Sequence, residues 1–170
     1  MWNECTVFAQ QRRQPLALNG TTVRFLDHPK AMRVLGDLHF ATRKTERRGT
    51  LLRVTGPERT LVEGFRRPGL VGGLEELVVS AAGFPTLDLE RLEEVLRRYG
   101  VRKLWGAAGW FLERFQRTFH VPEQYLRRLE RQCPSSPQYL IRDSRGGALA
   151  PRWNLILPRE VIRVMEPDEP

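Results

Sequence analysis

The segment Arg53–Glu76 constrains the fold more than any other part of this chain. It reads Arg-Val-Thr-Gly-Pro-Glu-Arg-Thr-Leu-Val-Glu-Gly-Phe-Arg-Arg-Pro-Gly-Leu-Val-Gly-Gly-Leu-Glu-Glu. Before Thr55 the apolar residues follow a strand-like rhythm; after it they recur at helical spacing. A strand is expected to end near Val54. Thr55 and Glu58 have the spacing of a Thr-x-x-Glu capping box, with Pro57 in the first helical turn. The helix is expected to reach about Arg67, where Pro68-Gly69 stops it, and Gly72-Gly73 opens a second helix.

Upstream, Leu16–Leu26 reads as two strands around Asn19-Gly20, a strong hairpin signal because that pair accepts positive φ. Lys30–Leu35 is expected to form a helical turn closed by Gly36. Leu38–Arg43 and Thr50–Thr55 flank Lys44–Gly49 and predict a second hairpin with a strongly basic tip. Cys5–Gln11 is expected to make one or two helical turns.

Downstream, Asp88 caps a helix that ends at Tyr99-Gly100. The helix over Val101–Phe115 is apolar nearly all round, as a central buried helix is. A fifth helix is expected over Pro122–Gln132, then a linker at Pro134–Pro137. Tyr139–Ile141 and Trp153–Leu157 read as strands around a loop with Gly146-Gly147, and Glu166–Pro170 reads as a frayed tail. The fold class is therefore α+β, with a small, mostly antiparallel sheet from the N-terminal hairpins and C-terminal strands packed on a bundle of about five helices.

With 170 residues, one domain, or one and a half, is expected. A chain of this size buries roughly 70% of its unfolded surface, so it needs neither a disulfide nor a metal to fold. Cys5 and Cys133 are far apart and read as reduced thiols. The start Met1–Cys5 lacks the pattern of a signal peptide, and no apolar run reaches the length of a membrane span, so a cytoplasmic location is expected.

The net charge of +8 points to an anionic partner. The excess is uneven. Residues 1–50 hold nine basic and four acidic groups, and residues 88–132 hold ten and seven, while the other two stretches balance. Arg43, Lys44, Arg47 and Arg48 crowd the second hairpin with only Glu46 to offset them, and Arg12 and Arg13 lie in the same third of the chain. These six are the candidate nucleic-acid or partner-binding residues, since guanidinium groups on a protruding loop suit phosphates or an acidic protein surface. A merely solvated tip is an equal reading of the same residues. No aromatic side chain interleaves with them, so stacking on single-stranded nucleic acid is not supported.

Other patterns read as scaffold. Gly69–Gly73 lacks the lysine and hydroxyl of a phosphate loop, and Glu75 and Glu76 would repel an anion there. His28, His39 and His120 are scattered and predict no metal site. Glu93–Arg97, Glu94–Arg98, Glu113–Arg117 and Glu123–Arg127 have the spacing of paired, solvated helix faces rather than acid–base pairs. Arg59 is expected either to pair with Glu63 or to be buried, tying its helix to the sheet. No set of catalytic residues can be assembled, and no cofactor is expected.

One resemblance emerges from the order of these pieces. Pro57-Glu58-Arg59-Thr60-Leu61-Val62-Glu63, followed by Gly72-Gly73-Leu74-Glu75-Glu76, resembles the C-terminal domain of the AbiEi-family antitoxins of abortive-infection, type IV toxin–antitoxin systems. Leu87-Asp88-Leu89-Glu90-Arg91-Leu92, Gly109-Trp110-Phe111-Leu112-Glu113 and Arg152-Trp153-Asn154-Leu155-Ile156-Leu157-Pro158 are similar to later pieces of that family. The likeness spans residues 16–160, with 1–15 a short N-terminal segment and 161–170 a tail.

The resemblance implies a non-enzymatic protein that neutralises a cognate nucleotidyltransferase-type toxin, with a transcriptional role where DNA is bound. Such antitoxins usually carry an N-terminal winged helix. Here only about fifteen residues precede the first matching strand, so that domain is expected to be missing, encoded separately or lost to a late start codon. The alternative function is that of a stand-alone basic nucleic-acid-binding regulator.

Overall fold

The computed structural model describes residues 4–11, 13–141 and 146–165, with residues 164 and 165 described by backbone alone. Its contacts divide the chain into two compact units, Met1–Phe40 and Ala41–Pro170. The class is mixed α and β, as expected, but the strands are distributed over three small sheets.

The first unit holds β1 (Glu4–Ala9), β2 (Leu16–Leu18), β3 (Thr21–Asp27) and the one-turn helix α1 (Lys30–Val34). The Asn19-Gly20 turn forms as expected, both residues at positive φ (47° and 78°). The helical expectation for Cys5–Gln11 is wrong: Glu4–Ala9 is a strand running parallel to β3, with Glu4 opposite Thr22 and Phe8 opposite Leu26. Thr6, Val7 and Phe8 favour a pleated surface, and β3 offers a free edge for them. Arg24 Nη2 donates to Glu4 Oε1 at 2.7 Å across that pairing.

The second unit begins with the hairpin β4 (Thr42–Arg47) and β5 (Thr50–Thr55). Helices α2 (Pro57–Arg66), α3 (Leu74–Ala82), α4 (Leu89–Tyr99), α5 (Arg102–Arg114) and α6 (Glu123–Glu130) follow. The unit closes with β6 (Gln138–Tyr139), β7 (Ala148–Ala150), β8 (Leu155–Leu157) and α7 (Arg159–Met165). In the last sheet β8 is central, parallel to β6 and antiparallel to β7.

The core is built around α5, whose Leu104, Trp105, Ala107, Ala108, Phe111 and Leu112 are all buried. Phe111 meets Phe65 of α2 edge-on and lies against Phe115 and Phe119, with ring centroids 4.8–6.2 Å apart. Trp105 and Phe111 of this helix are thus core, while Trp110 is half-buried. Two of its glycines exist for close approach. A Cβ on Gly106 would stand 2.7 Å from the Trp153 carbonyl oxygen, and one on Gly109 would enter the Trp153 ring. Gly64 of α2 plays the same part against Leu77 of α3, where a Cβ would stand 2.3 Å from a Leu77 methyl.

The capping box at Thr55–Glu58 does not form. Gly56 is the N-cap of α2, and Pro57 takes the first helical position. The Thr55 and Thr60 hydroxyls bond each other at 2.7 Å. Glu58 is buried and accepts the Asp88 backbone N–H at 2.9 Å, thirty residues away. A long-range partner has displaced the local one, because Glu58 faces the start of α4 rather than its own helix end. Asp88 caps α4 as expected, accepting from the Arg91 N–H at 3.0 Å, and Gly100 closes it in the left-handed region.

Candidate interaction surface

The register of β4 and β5 follows from a two-residue turn. Arg48 and Gly49 both have positive φ (50° and 74°), the geometry that matches the twist of a two-residue hairpin. Arg47 then faces Thr50, Thr45 faces Leu52, Arg43 faces Val54 and Lys44 faces Arg53. At the base, Gly56 N–H donates to the Ala41 carbonyl at 2.8 Å and closes the ribbon. Residues 43–53 are exposed on both strands.

Because side chains alternate, the ribbon has two distinct faces. One carries Arg43, Thr45 and Arg47 from β4 with Thr50, Leu52 and Val54 from β5. It holds two guanidinium groups and no carboxylate. The other carries Lys44, Glu46, Leu51 and Arg53, and there Arg53 Nη1 donates to Thr42 Oγ1 at 3.3 Å. Leu51 and Leu52 are 63% and 43% exposed, one on each face. Arg48 sits at the turn.

The structure thus separates residues that the sequence had grouped. Arg43 and Arg47 share a face, Lys44 points to the opposite one, and Arg48 marks the tip. Arg13 is exposed in the connection between β1 and β2, in the first unit, and is no part of the ribbon. Arg12 lies outside the described residues. Arg53 was missed as a member of the surface. Its signal was available, since Arg48-Gly49 as a two-residue turn places Lys44 opposite Arg53 by counting outward.

Elsewhere the charged side chains hold helices together. Glu63 accepts from Arg66 Nη1 at 2.9 Å and from the Tyr99 hydroxyl, joining α2 to α4. Burial pushes the Tyr99 hydroxyl above its ordinary range, and the Glu63 carboxylate adds to the rise. Arg59 is fully buried. Glu93 is buried and paired with Arg97, as its spacing predicts, and with Arg128 of α6 at 3.4 Å.

The expected Glu113–Arg117 pairing is replaced by a longer-range contact. Glu113 Oε1 accepts from Arg152 Nη1 at 2.6 Å, and its Oε2 accepts from Trp153 Nε1 at 2.6 Å. The same guanidinium reaches Glu123 at 2.7 Å and Glu130 at 3.1 Å, so three carboxylates of α5 and α6 surround it. Desolvation acts to lower the Arg152 pKa, but these three hydrogen bonds more than offset it and raise it. In turn the Arg152 hydrogen bond draws the Glu123 carboxyl below its usual range, and Arg127 adds to this through the expected Glu123–Arg127 pair at 3.5 Å. Three negative charges against two positive ones leave this cluster nearly neutral, and its ion pairs serve to join α5 and α6 to the C-terminal sheet.

A shallow groove of about 530 Å³ between α4 and α6 is lined by Leu89, Pro122, Tyr125, Arg128 and Arg131 among others. Its Tyr125 hydroxyl donates to the Leu89 carbonyl at 2.6 Å, and Arg128 lies 5.0 Å over the Tyr125 ring. Tyr125 and Arg128 are engaged within the scaffold, Arg128 also with Glu93, and Glu90 on the groove wall offsets its positive charge, so the ribbon remains the stronger candidate. Among the described residues no group of three or more His, Cys, Asp or Glu side chains could hold a metal. No described helix is long and apolar enough to cross a membrane. No protein-family model matches the chain, and neither the curated proteins nor the solved structures contain a significant match to it.

Proposed function

We propose that this chain is a non-enzymatic, antitoxin-like protein of the AbiEi type. It neutralises a nucleotidyltransferase-type toxin in the cytoplasm and uses the β4–β5 ribbon as its contact arm for an anionic partner. The observation that carries this reading is the ribbon itself. Five cations (Arg43, Lys44, Arg47, Arg48 and Arg53) stand against one carboxylate (Glu46) on an arm exposed on both faces. The helical scaffold behind it uses Glu58, Glu63, Glu93 and Glu113 to join its own elements, which suits a binding protein more than an acid–base catalyst.

A regulatory contact with nucleic acid is favoured by the same arm, because a two-stranded ribbon fits the roughly 12 Å major groove of B-DNA. Coexpression with the neighbouring gene tests the main reading. Relief of growth arrest is expected when the two genes are driven by separate promoters. Unrelieved arrest, or a neighbour that is no nucleotidyltransferase, refutes it. For the arm, Arg43→Glu/Arg47→Glu is expected to elute from heparin at clearly lower salt than the parent, and unchanged elution removes the arm from the proposal.

A further inference from the structure

Resting on that assignment of the ribbon as contact arm, we infer that the partner of its Arg43/Thr45/Arg47 face is the major groove of double-stranded DNA. The spacing is the first reason. Alternate residues of a strand lie about 6.8 Å apart, twice the roughly 3.4 Å rise between stacked bases. Arg43, Thr45 and Arg47 are three such successive residues. Along the strand the backbone positions of Arg43 and Arg47 lie about 13 Å apart, with the threonine midway between them.

The chemistry is the second reason. A guanidinium donates two parallel hydrogen bonds to guanine O6 and N7, and threonine offers a hydroxyl and a methyl to an adjacent base. Leu52, directly across from Thr45, adds an apolar contact of the kind a thymine methyl accepts. No carboxylate shares this face to repel the duplex. Lys44 and Arg53, opposite each other on the far face, and Arg48 at the tip add charge that holds phosphates without reading bases.

The alternatives fit less well. A-form RNA has a major groove too narrow and deep for a ribbon to enter. Single strands call for aromatic platforms, which the hairpin lacks. An acidic protein surface would meet the charges and the exposed leucines, but has no fixed repeat that matches the spacing of Arg43, Thr45 and Arg47.

The test uses the full chain with a pool of duplexes randomised over twelve base pairs, read by enrichment and then by fluorescence anisotropy. An enriched guanine-containing site is expected. On that site Arg43→Ala or Arg47→Ala should weaken binding about tenfold or more and relax the preference at one position. Lys44→Ala and Arg53→Ala should weaken all duplexes alike and each reduce the salt slope by about one. Replacing the guanines by 7-deazaguanine, which lacks the N7 acceptor, should mimic the Arg43→Ala and Arg47→Ala losses in the parent protein.

The inference falls if no duplex binds at low salt, if A-form RNA binds as well as DNA, or if the two pairs of variants behave alike. It falls equally if 7-deazaguanine has no effect. Circular dichroism confirms that each variant is folded. Toxicity relief from independent promoters separates the two proposals. If the parent binds no duplex but Arg43→Ala loses relief, the arm stands as a protein contact and only the DNA assignment is lost.

Discussion

Replacing Gly109 by alanine tests how the C-terminal sheet docks on α5. In an exposed helix this change would stabilise by about 1 kcal/mol, because glycine is the poorer helix former. Here the added Cβ would lie 2.0 Å from Trp153 Cζ3, 2.4 Å from Cε3 and 2.5 Å from Cη2. Carbon atoms prefer about 3.5 Å or more, so the ring must move by roughly 1.5 Å. Trp153 is 1% exposed, and its Nε1 is held by Glu113 at 2.6 Å. Displacing it strains a packed core, at about 1–3 kcal/mol, and stretches a hydrogen bond to a charged acceptor, at about 1.5–3 kcal/mol. After the helical gain is subtracted, the net destabilisation is about 1.5–5 kcal/mol. For a chain of this length that lowers Tm by on the order of 10 °C. Urea titration followed by far-UV circular dichroism measures it. Gly69→Ala, with open space around its Cβ, is the control and should stay within about 0.5 kcal/mol of the parent. Trp153→Leu should cost less in the Gly109→Ala background than alone, since the smaller side chain relieves the clash. A Gly109→Ala protein as stable as the parent would show that Trp153 does not lie on α5.

Arg152→Gln should lower stability near neutral pH and flatten its loss in acid. The Glu123 carboxyl is held down in the folded state, so its contribution is present above about pH 4.3 and disappears as pH falls through the depressed value. NMR titration of Glu123 in the variant should return it toward the ordinary carboxylate range; an unchanged value would refute the clamp. Thiol labelling at pH 8 should modify Cys5, which is exposed, while buried Cys133, its thiol pushed up to about 12 by burial, reacts only on unfolding. Two fast-reacting thiols would contradict that burial. Asp88→Ala should cost about 1 kcal/mol through loss of the α4 cap, and Glu58→Ala about 1–3 kcal/mol because it leaves the Asp88 N–H without its acceptor. Urea denaturation midpoints for the two variants check both, and equal midpoints with the parent would remove Glu58 from the helix junction.

Local rules located most of the scaffold. Asn19-Gly20, Gly36, Pro57, Asp88 and Gly100 each act through their own backbone, and each marks a boundary where it was expected. The all-round apolarity of α5 likewise carried its central position. What escaped was set by distant partners. Glu58 has the spacing of a capping residue, yet its acceptor role is filled thirty residues away. Glu113 has the spacing to meet Arg117, yet Arg152 and Trp153 hold it. Glu4–Ala9 becomes a strand because β3 is there to pair with it. The two faces of the basic ribbon were hidden for a narrower reason. Four cations close in sequence look like one patch until the turn fixes the register, and Arg48-Gly49 then divides them.

The residues that carry the AbiEi resemblance have a physical explanation that involves no partner. Glu58 and Asp88 join α2 to the start of α4, and Glu63 joins α2 to Tyr99. Gly109, Glu113, Arg152 and Trp153 form one contact, in which the glycine makes room for the indole and the carboxylate binds both the indole N–H and the neighbouring guanidinium. A sequence that keeps these pieces keeps a way of packing five helices and a small sheet. Such a scaffold can present different arms to different partners, so likeness in these motifs bears on architecture first. On the proposed reading the specificity of this chain comes from what the scaffold leaves exposed. On the second unit the proposed surface is the ribbon, where changing Arg43 or Arg47 should alter the contact while the Glu113–Arg152–Trp153 junction stays intact. On the proposed reading partner recognition and stability rest on separate residues, which makes each of them measurable without the other.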